Sequence, residues 1–375
     1  MKDIVIYIGS LNRGGAETHL LHILPQLVKK GLPIQVFLIG GTGELIADME
    51  ASGVPVIRPW IARSFRNPVL KVLKMLANIT QTFCHLLFKR PHIAHFFLPQ
   101  SYLMGAPLAI LARTRVKLMS RRSMNNYQAK YPGFIRTFEL RLHRHMTGIL
   151  GNSQKVVQQL VQEEHIPAEK VHLIYNGISL RQTAPAHIRQ QLGIAPGRTL
   201  LALVANLIPY KGHADLLEAL AQVTHKNWDV LIIGNDSTGI RADLEHQAMA
   251  AGIADHVHFL GKRTDVGDIL PECDIGLLTS HEEGFANAIL EGMAAGLPMI
   301  VTDVGGNAEA VIHEKSGLVV PAHAPQDLAA AIDRLLADPA LRQRYAAASS
   351  ARFTENFTVE TCVQAYYAYY TKLLG

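Results

Sequence analysis

Cysteine is scarce: three residues in 375, Cys84, Cys273 and Cys362, with no C-x-x-C pair and no Cys/His metal spacing. That pattern excludes a disulfide framework and a structural zinc module. No apolar run reaches the roughly 18 uncharged residues of a membrane span. The opening MKDIVIYIGSLNRGGAE arrives at glycine and charge too soon for a secretory leader and reads as a first strand. A cytoplasmic enzyme is the expectation. The G-x-G-x-x-G dinucleotide signature and the GxxxxGK[ST] phosphate loop are also missing, which weighs against a dehydrogenase and a P-loop enzyme.

Acid is missing over a long stretch, with no Asp or Glu from Ala51 to Phe138. Residues 1–180 hold 22 Lys and Arg against 9 Asp and Glu, a net of +13, while the remainder holds 14 against 22, a net of −8. The overall charge of +5 hides this asymmetry. A one-sided basic field attracts an anionic partner, and nucleic acid, an anionic lipid surface and a phosphorylated substrate all fit.

What is present is a folded composition, 49% apolar and 18% charged, in a chain longer than one hydrophobic core usually serves. Short apolar strands (DIVIYIG, PIQVFLIG, HIAHFF, VKLMS) alternate with helical patterns such as AETHLLHILPQLVKKG, and Ser153 is placed to cap a helix. The alternation restarts after RQTAPAHIRQQLGIAPGR with TLLALVANL, WDVLIIGND, HVHFLG, IGLLTS and MIVTDV. The expectation is two α/β domains, 1–180 and 181–350, each a parallel sheet covered on both faces, with a ligand cleft between them. The tyrosine-rich segment 351–375 is expected to be a helix that packs back on the first domain.

Several residues could carry chemistry. Gly14 and Gly15 follow the first strand, where glycine permits close backbone approach to a ligand. Lys211 precedes Gly212 and a new helix, a position suited to a phosphate. In HEEGFANAILEGMAAGLP, Glu283 lies on a loop and Glu291 eight positions later inside a helix; a carboxylate there needs donors, and sugar or ribose hydroxyls are suitable ones. The backbone around Gly284, Phe285 and Ala286 could receive a diphosphate at the helix start. TDVGGNAEAV repeats the theme, with Asp303, then Gly305 and Gly306, then Glu309. Of the 18 histidines, His95 and His281 adjoin strands or acids; most of the others must be structural.

In their order and spacing these segments resemble the retaining glycosyltransferase family that includes bacterial mannosyltransferases and sucrose synthases (glycosyltransferase family 4, glycosyl transferases group 1). The resemblance covers nearly the whole chain and implies the GT-B architecture of two Rossmann-like domains. EGFANAILE resembles the family's E-x7-E motif, so by resemblance Glu283 contacts the donor sugar and Glu291 the nucleotide ribose. PYKG resembles its phosphate segment and assigns Lys211 to the donor diphosphate. VGGNAE resembles its donor-sugar loop at Gly305, Gly306 and Glu309. NRGGAE resembles its acceptor-side glycine loop at Gly14 and Gly15.

Two departures stand out. Asn206 occupies the place of an arginine usual in the family, leaving Arg121 or Arg122 to supply the missing charge. The usual active-site histidine has no counterpart in KLMSRRS, leaving His95 as its substitute, with Glu283 and Lys211 as the other catalytic candidates. The resemblance implies a nucleotide-diphosphate sugar as co-substrate, a glycan or lipid-linked acceptor in surface polysaccharide or lipopolysaccharide synthesis, and no metal, in keeping with the lack of a D-x-D triplet. The basic KVLKMLANITQTFCHLLFKR is expected to lie on an anionic inner membrane face. Nucleic acid is not expected as a partner. The competing readings are a nucleotide-sugar epimerase of similar fold, a noncatalytic nucleic-acid-binding protein, and a degenerate, noncatalytic relative.

Overall fold

The computed structural model describes residues 3–179 and 184–375. The expected junction between Leu180 and Arg181 lies outside the described residues. The chain forms two units: Met1–Gly177 with Val359–Gly375, and Ile178–Thr358. The second unit therefore keeps the helix Pro339–Asn356, and the return to the first begins at Val359 rather than at residue 351. That helix is held to its own unit, because Arg352 donates to the carbonyls of Glu309 and Ala310.

The first unit is built on β1 (Ile4–Ile8), β2 (Ile34–Leu38), β3 (Val56–Ile57), β4 (Ile93–Phe97), β5 (Val116–Arg121), β6 (Gly148–Gly151) and β7 (Val171–Leu173). They form one parallel sheet in the order β3-β2-β1-β4-β5-β6-β7. β1 shows why both faces are covered. Ile4, Ile6 and Ile8 enter one core cluster, while Val5 and Tyr7 enter the other. Alternation of side chains across the strand then demands apolar residues at every position. The helix Gly15–Lys29 supplies Leu20, Ile23, Leu24 and Leu27 to the first cluster, and the helix Val359–Leu374 adds Val359, Cys362, Val363, Tyr366 and Tyr370.

The second unit carries β8 (Thr199–Val204), β9 (Trp228–Ile233), β10 (Val257–Gly261), β11 (Ile275–Leu278), β12 (Met299–Thr302) and β13 (Gly317–Val320), all parallel, in the order β10-β9-β8-β11-β12-β13. Each sheet reverses its direction of growth once, between β1 and β4 in the first and between β8 and β11 in the second. Loops leaving the carboxyl ends of strands diverge at such a reversal and open a binding crevice. Gly14 and Gly15 follow β1, and Lys211 and Glu283 follow β8 and β11. Ser153 caps the helix Gln154–Gln162, its side chain accepting from the Val156 amide.

Two sequence expectations are corrected here. His95 lies within β4 at 0% exposure, with Nδ1 2.7 Å from Tyr370 Oη and Nε2 2.9 Å from Ser120 Oγ. Burial, then Arg122, lowers its pKa to about 3, so the ring is neutral, and both nitrogens are engaged. It is a core histidine that ties the last helix to the sheet and cannot reach a substrate. Arg121 is likewise internal, donating to Glu164 at 3.0 and 3.1 Å and to Glu139 at 3.1 Å. A guanidinium neutralised in this way is a structural ion-pair centre and has no charge to lend an acceptor.

Replacing Tyr370 by phenylalanine removes the partner of His95 Nδ1 without opening a cavity. The expected loss is about 1–3 kcal/mol, the cost of a buried polar atom left unpaired, read as a lowered urea midpoint.

Candidate functional site

The site grows from three loops at the carboxyl ends of β8, β11 and β12. After β8 the chain passes Asn206 and makes a single turn, Pro209–Lys211. It then enters the helix His213–Gln222 through Gly212, which has a left-handed φ of 70°. A Cβ on Gly212 would stand 2.0 Å from the Thr279 carbonyl oxygen, so the loop after β11 can press on it only because it is glycine. Thr279 Oγ1 donates to the carbonyls of Lys211 and Gly212, both at 3.0 Å, and the His281 amide donates to the Tyr210 carbonyl at 2.7 Å. The third loop is joined in the same way. The Gly306 amide donates to the Gly284 carbonyl at 2.9 Å, and Gly305, with φ 50°, has room for no more than hydrogen, because a Cβ would meet the Glu283 carbonyl at 2.1 Å.

This stitching brings Lys211 Nζ to 2.6 Å from Glu283 Oε1. Ser280 Oγ donates to the same carboxylate oxygen at 2.7 Å. The two side chains are 18% and 11% exposed, so the pair is shielded yet reachable. Beside it the helix Asn287–Ala294 starts at Ala286 without a side-chain cap. A helix start of this kind presents backbone N–H groups and the positive end of the dipole to an anion. Phe285 is buried against Phe357, which anchors the loop below. Asn206 is tied to the neighbouring loop, its Oδ1 accepting from the Asn235 amide at 3.1 Å.

Glu291 lies within that helix. The following residue, Gly292, sits so close to Met299 that a Cβ would meet the sulfur at 2.4 Å, which seats the helix tightly on the sheet. Burial pushes the Glu291 carboxyl up to about 7. Glu309 lies in the short helix Asn307–Ala310, with its carbonyl held by Arg352.

Sequence reasoning missed a cavity of about 210 Å³ at the ends of β8, β9 and β10, lined by Leu207, Asn235, Asp236, Arg241, Phe259 and Lys262 among others. No motif marks it, because its walls come from three loops; the turn residues after WDVLIIG were the available signal. In the first unit, Gly14 is the N-cap residue of the helix Gly15–Lys29, with the Glu17 carboxylate folded back beside it. Burial raises the Glu17 carboxyl despite a nearby backbone amide and Arg122. Arg122 is half-buried and donates to Asn176 Oδ1 at 2.7 Å. Of the two adjacent arginines, only Arg122 stands with the glycine loop.

Residues 13–182 match the family model described as Glycosyltransferase Family 4, and residues 186–352 match the one described as Glycosyl transferases group 1. The chain is similar to a D-inositol 3-phosphate glycosyltransferase of Jonesia denitrificans, 31% identical over 226 residues. It is also similar to the lipopolysaccharide core biosynthesis mannosyltransferase LpsB of Rhizobium meliloti, 29% identical over 217 residues. These matches span 56% and 54% of this chain, and only 53% and 61% of the relatives' own lengths. Among solved structures, Anabaena Alr3699/HepE in complex with UDP superposes with a TM-score of 0.85 at 24% identity, over 99% of this chain and 100% of that one. That likeness is one of fold: two Rossmann-like α/β domains of the GT-B type.

Glu291 makes stability depend on pH in a stated direction. With its pKa raised from 4.5 to about 7, the folded chain keeps a proton that the unfolded chain has released. Stability therefore falls as pH rises from about 4.5 through about 7, by up to about 3 kcal/mol. In Glu291→Gln that loss is absent, and urea unfolding of both proteins between about pH 3.5 and about pH 8, roughly one unit beyond each end of the transition, should show the curves separating.

Proposed function

Because this chain belongs to glycosyltransferase family 4, we propose that it moves a hexosyl unit from a nucleotide-diphosphate sugar, bound in its C-terminal unit, to a hydroxyl of a glycan or lipid-linked acceptor. The observation that carries this reading is the Lys211–Glu283 pair at the strand reversal, beside an uncapped helix start. A departing diphosphate concentrates negative charge where Lys211 and the amides near Gly284–Ala286 can meet it, so the interaction strengthens as the bond to the sugar breaks. Glu283, held by Ser280, accepts from sugar hydroxyls, and Gly305, Gly306 and Glu309 form the wall beyond. Glu291 accepts from the ribose hydroxyls, and the cavity at Asn235 and Phe259 takes the base. Lysine and backbone dipoles carry the diphosphate charge in this scheme, and no metal is assigned to the transfer step. We assign retention of the anomeric configuration, and an acceptor held by the N-terminal unit near Gly14, Gly15 and Arg122. UDP in the Anabaena structure supports a uridine nucleotide.

The acceptor reading is supported by an inverted helix. Pro68–Cys84 turns the polar Asn78, Gln81 and Thr82 inward, where Asn78 and Gln81 pair with the backbone of Arg58, Trp60 and Ile61. Its apolar Val69, Leu70, Val72, Leu73, Met75 and Leu76 are exposed. The stretch carries no acid, and Lys71, Lys89 and Arg90 are exposed. Lys74 differs from them, its ammonium donating to the Ala62 carbonyl at 3.1 Å. Apolar side chains rimmed by cations match an anionic lipid surface, and among the described residues no helix is long and apolar enough to cross a membrane. A lipid-linked acceptor on the inner membrane face and a role in lipopolysaccharide or other surface-glycan synthesis fit this arrangement. The name of the Rhizobium relative points the same way.

Saturation-transfer NMR against a panel of nucleotide sugars should find a binder that Glu291→Ala loses. In the transfer assay with that donor, Lys211→Ala should lower kcat about 100- to 1,000-fold. Failure of every nucleotide sugar to bind would overturn the reading, and binding without transfer to any acceptor would favour an epimerase or a noncatalytic relative. Neutralising Lys71, Lys89 and Arg90 together should release the protein from anionic liposomes in a flotation assay; unchanged flotation would refute the membrane contact.

A further inference from the structure

We propose that Asp215, His281 and His323 form a binding site for a divalent cation of the zinc class, which would clamp the loops that carry Lys211 and Glu283. The three residues come from separate segments of the C-terminal unit: the first turn of the helix His213–Gln222, the loop after β11 and the loop after β13. Asp215 Oδ2 lies 2.9 Å from His281 Nε2 and 3.9 Å from His323 Nδ1. The two imidazole rings face each other with centroids 3.7 Å apart, and one ligand atom from each residue falls within 4.8 Å of the others.

The donor set selects the ion. Two imidazole nitrogens and one carboxylate oxygen suit zinc, whereas calcium and magnesium demand oxygen ligands and copper(I) demands sulfur. Bonds of about 2.0–2.1 Å in a tetrahedron place ligand atoms about 3.3 Å apart. Asp215 and His281 are already closer than that, and His323 has to approach by about an ångström. Two of the three are fixed in advance: Asp215 by its helix, and His281 by the hydrogen bond from its backbone N–H to the Tyr210 carbonyl. The third, His323, is held at a φ of 56°, a conformation unfavourable for a residue with a side chain. Its side chain is 67% exposed, so an ion can enter from solvent. Three protein ligands leave a fourth position for water.

The placement gives the ion a task. His281 precedes Glu283 by two residues, and Asp215 follows Lys211 by four. An ion joining them would hold the β8 and β11 loops together through side chains, beside the backbone hydrogen bonds that already join them. The assignment rests on this geometry alone and holds whichever donor the protein uses.

Zinc titration of the full chain by isothermal calorimetry, with no nucleotide sugar present, should give one site in the micromolar range or tighter. Zinc should also raise the melting temperature, and cobalt(II) should give the intense visible band of a tetrahedral site. His323→Ala, exposed and safe for folding, should weaken binding about tenfold or more and abolish the cobalt band, and His281→Gln should do the same. Lack of zinc binding by the wild type would overturn the proposal. So would binding unchanged in both variants, which would locate the ion among the protein's other histidines.

Discussion

The contact of backbone against backbone between the loops after β8, β11 and β12 is the constraint on which the rest of the site depends. Gly212 lies against Thr279, and Gly305 against Glu283, at distances that exclude a side chain. With the loops this close, Thr279 can bond two carbonyls on one neighbour, and Gly306 can bond Gly284 on the other. Lys211 then reaches Glu283 at 2.6 Å. A methyl group at either glycine would force the loops apart, and the ion pair would be lost with the spacing.

The two units use one architectural device for different ends. Each reverses its strand order once, and each places glycine just beyond a strand at the reversal: Gly14 and Gly15 after β1, Gly212 shortly after β8. Their electrostatics differ. In the C-terminal unit the charges at the reversal are paired with each other. In the N-terminal unit buried Arg121 is matched by Glu139 and Glu164, and the surplus cations are mostly exposed, among them Lys71, Lys89 and Arg90 around the inverted helix Pro68–Cys84. The net +13 of residues 1–180 is thus a surface property, available to a partner and not spent in the core.

The two-sheet architecture, most strands of each sheet and the loop positions of Lys211, Glu283 and Gly305 were legible, because each depends on local pattern: apolar runs, glycine after a strand, a carboxylate at fixed spacing. What was not legible depends on distant partners. His95 reads as a polar residue in an apolar strand, and nothing near it in sequence announces Tyr370, 275 residues away. Arg121 and Arg122 are adjacent and look equivalent, yet pleating sends Arg121 into an acidic nest whose members lie 18 and 43 residues away. β3, β7 and β13, with 2, 3 and 4 residues, are too short for alternation to register. The basic stretch 71–90 was expected to lie on an anionic membrane face, but which face of the helix Pro68–Cys84 turns inward is decided by the Trp60–Ile61 backbone bonding to Asn78 and Gln81.

The Lys211–Glu283 pair also settles how two ionic side chains can share a site in which each is largely shielded from solvent. A lone carboxylate or ammonium at this depth would be costly, and each satisfies the other, with Ser280 supplying a second donor to Glu283. In the proposed reaction the donor dismantles the pair in a definite way. The diphosphate offers Lys211 more negative charge than one carboxylate does, and drawing the lysine away releases a lone pair on Glu283 at the moment sugar hydroxyls arrive to use it. The exchange keeps the number of satisfied charges constant, so binding costs little desolvation. The gain grows as negative charge builds on the leaving diphosphate, which is the condition for lowering the barrier and not merely tightening the ground state.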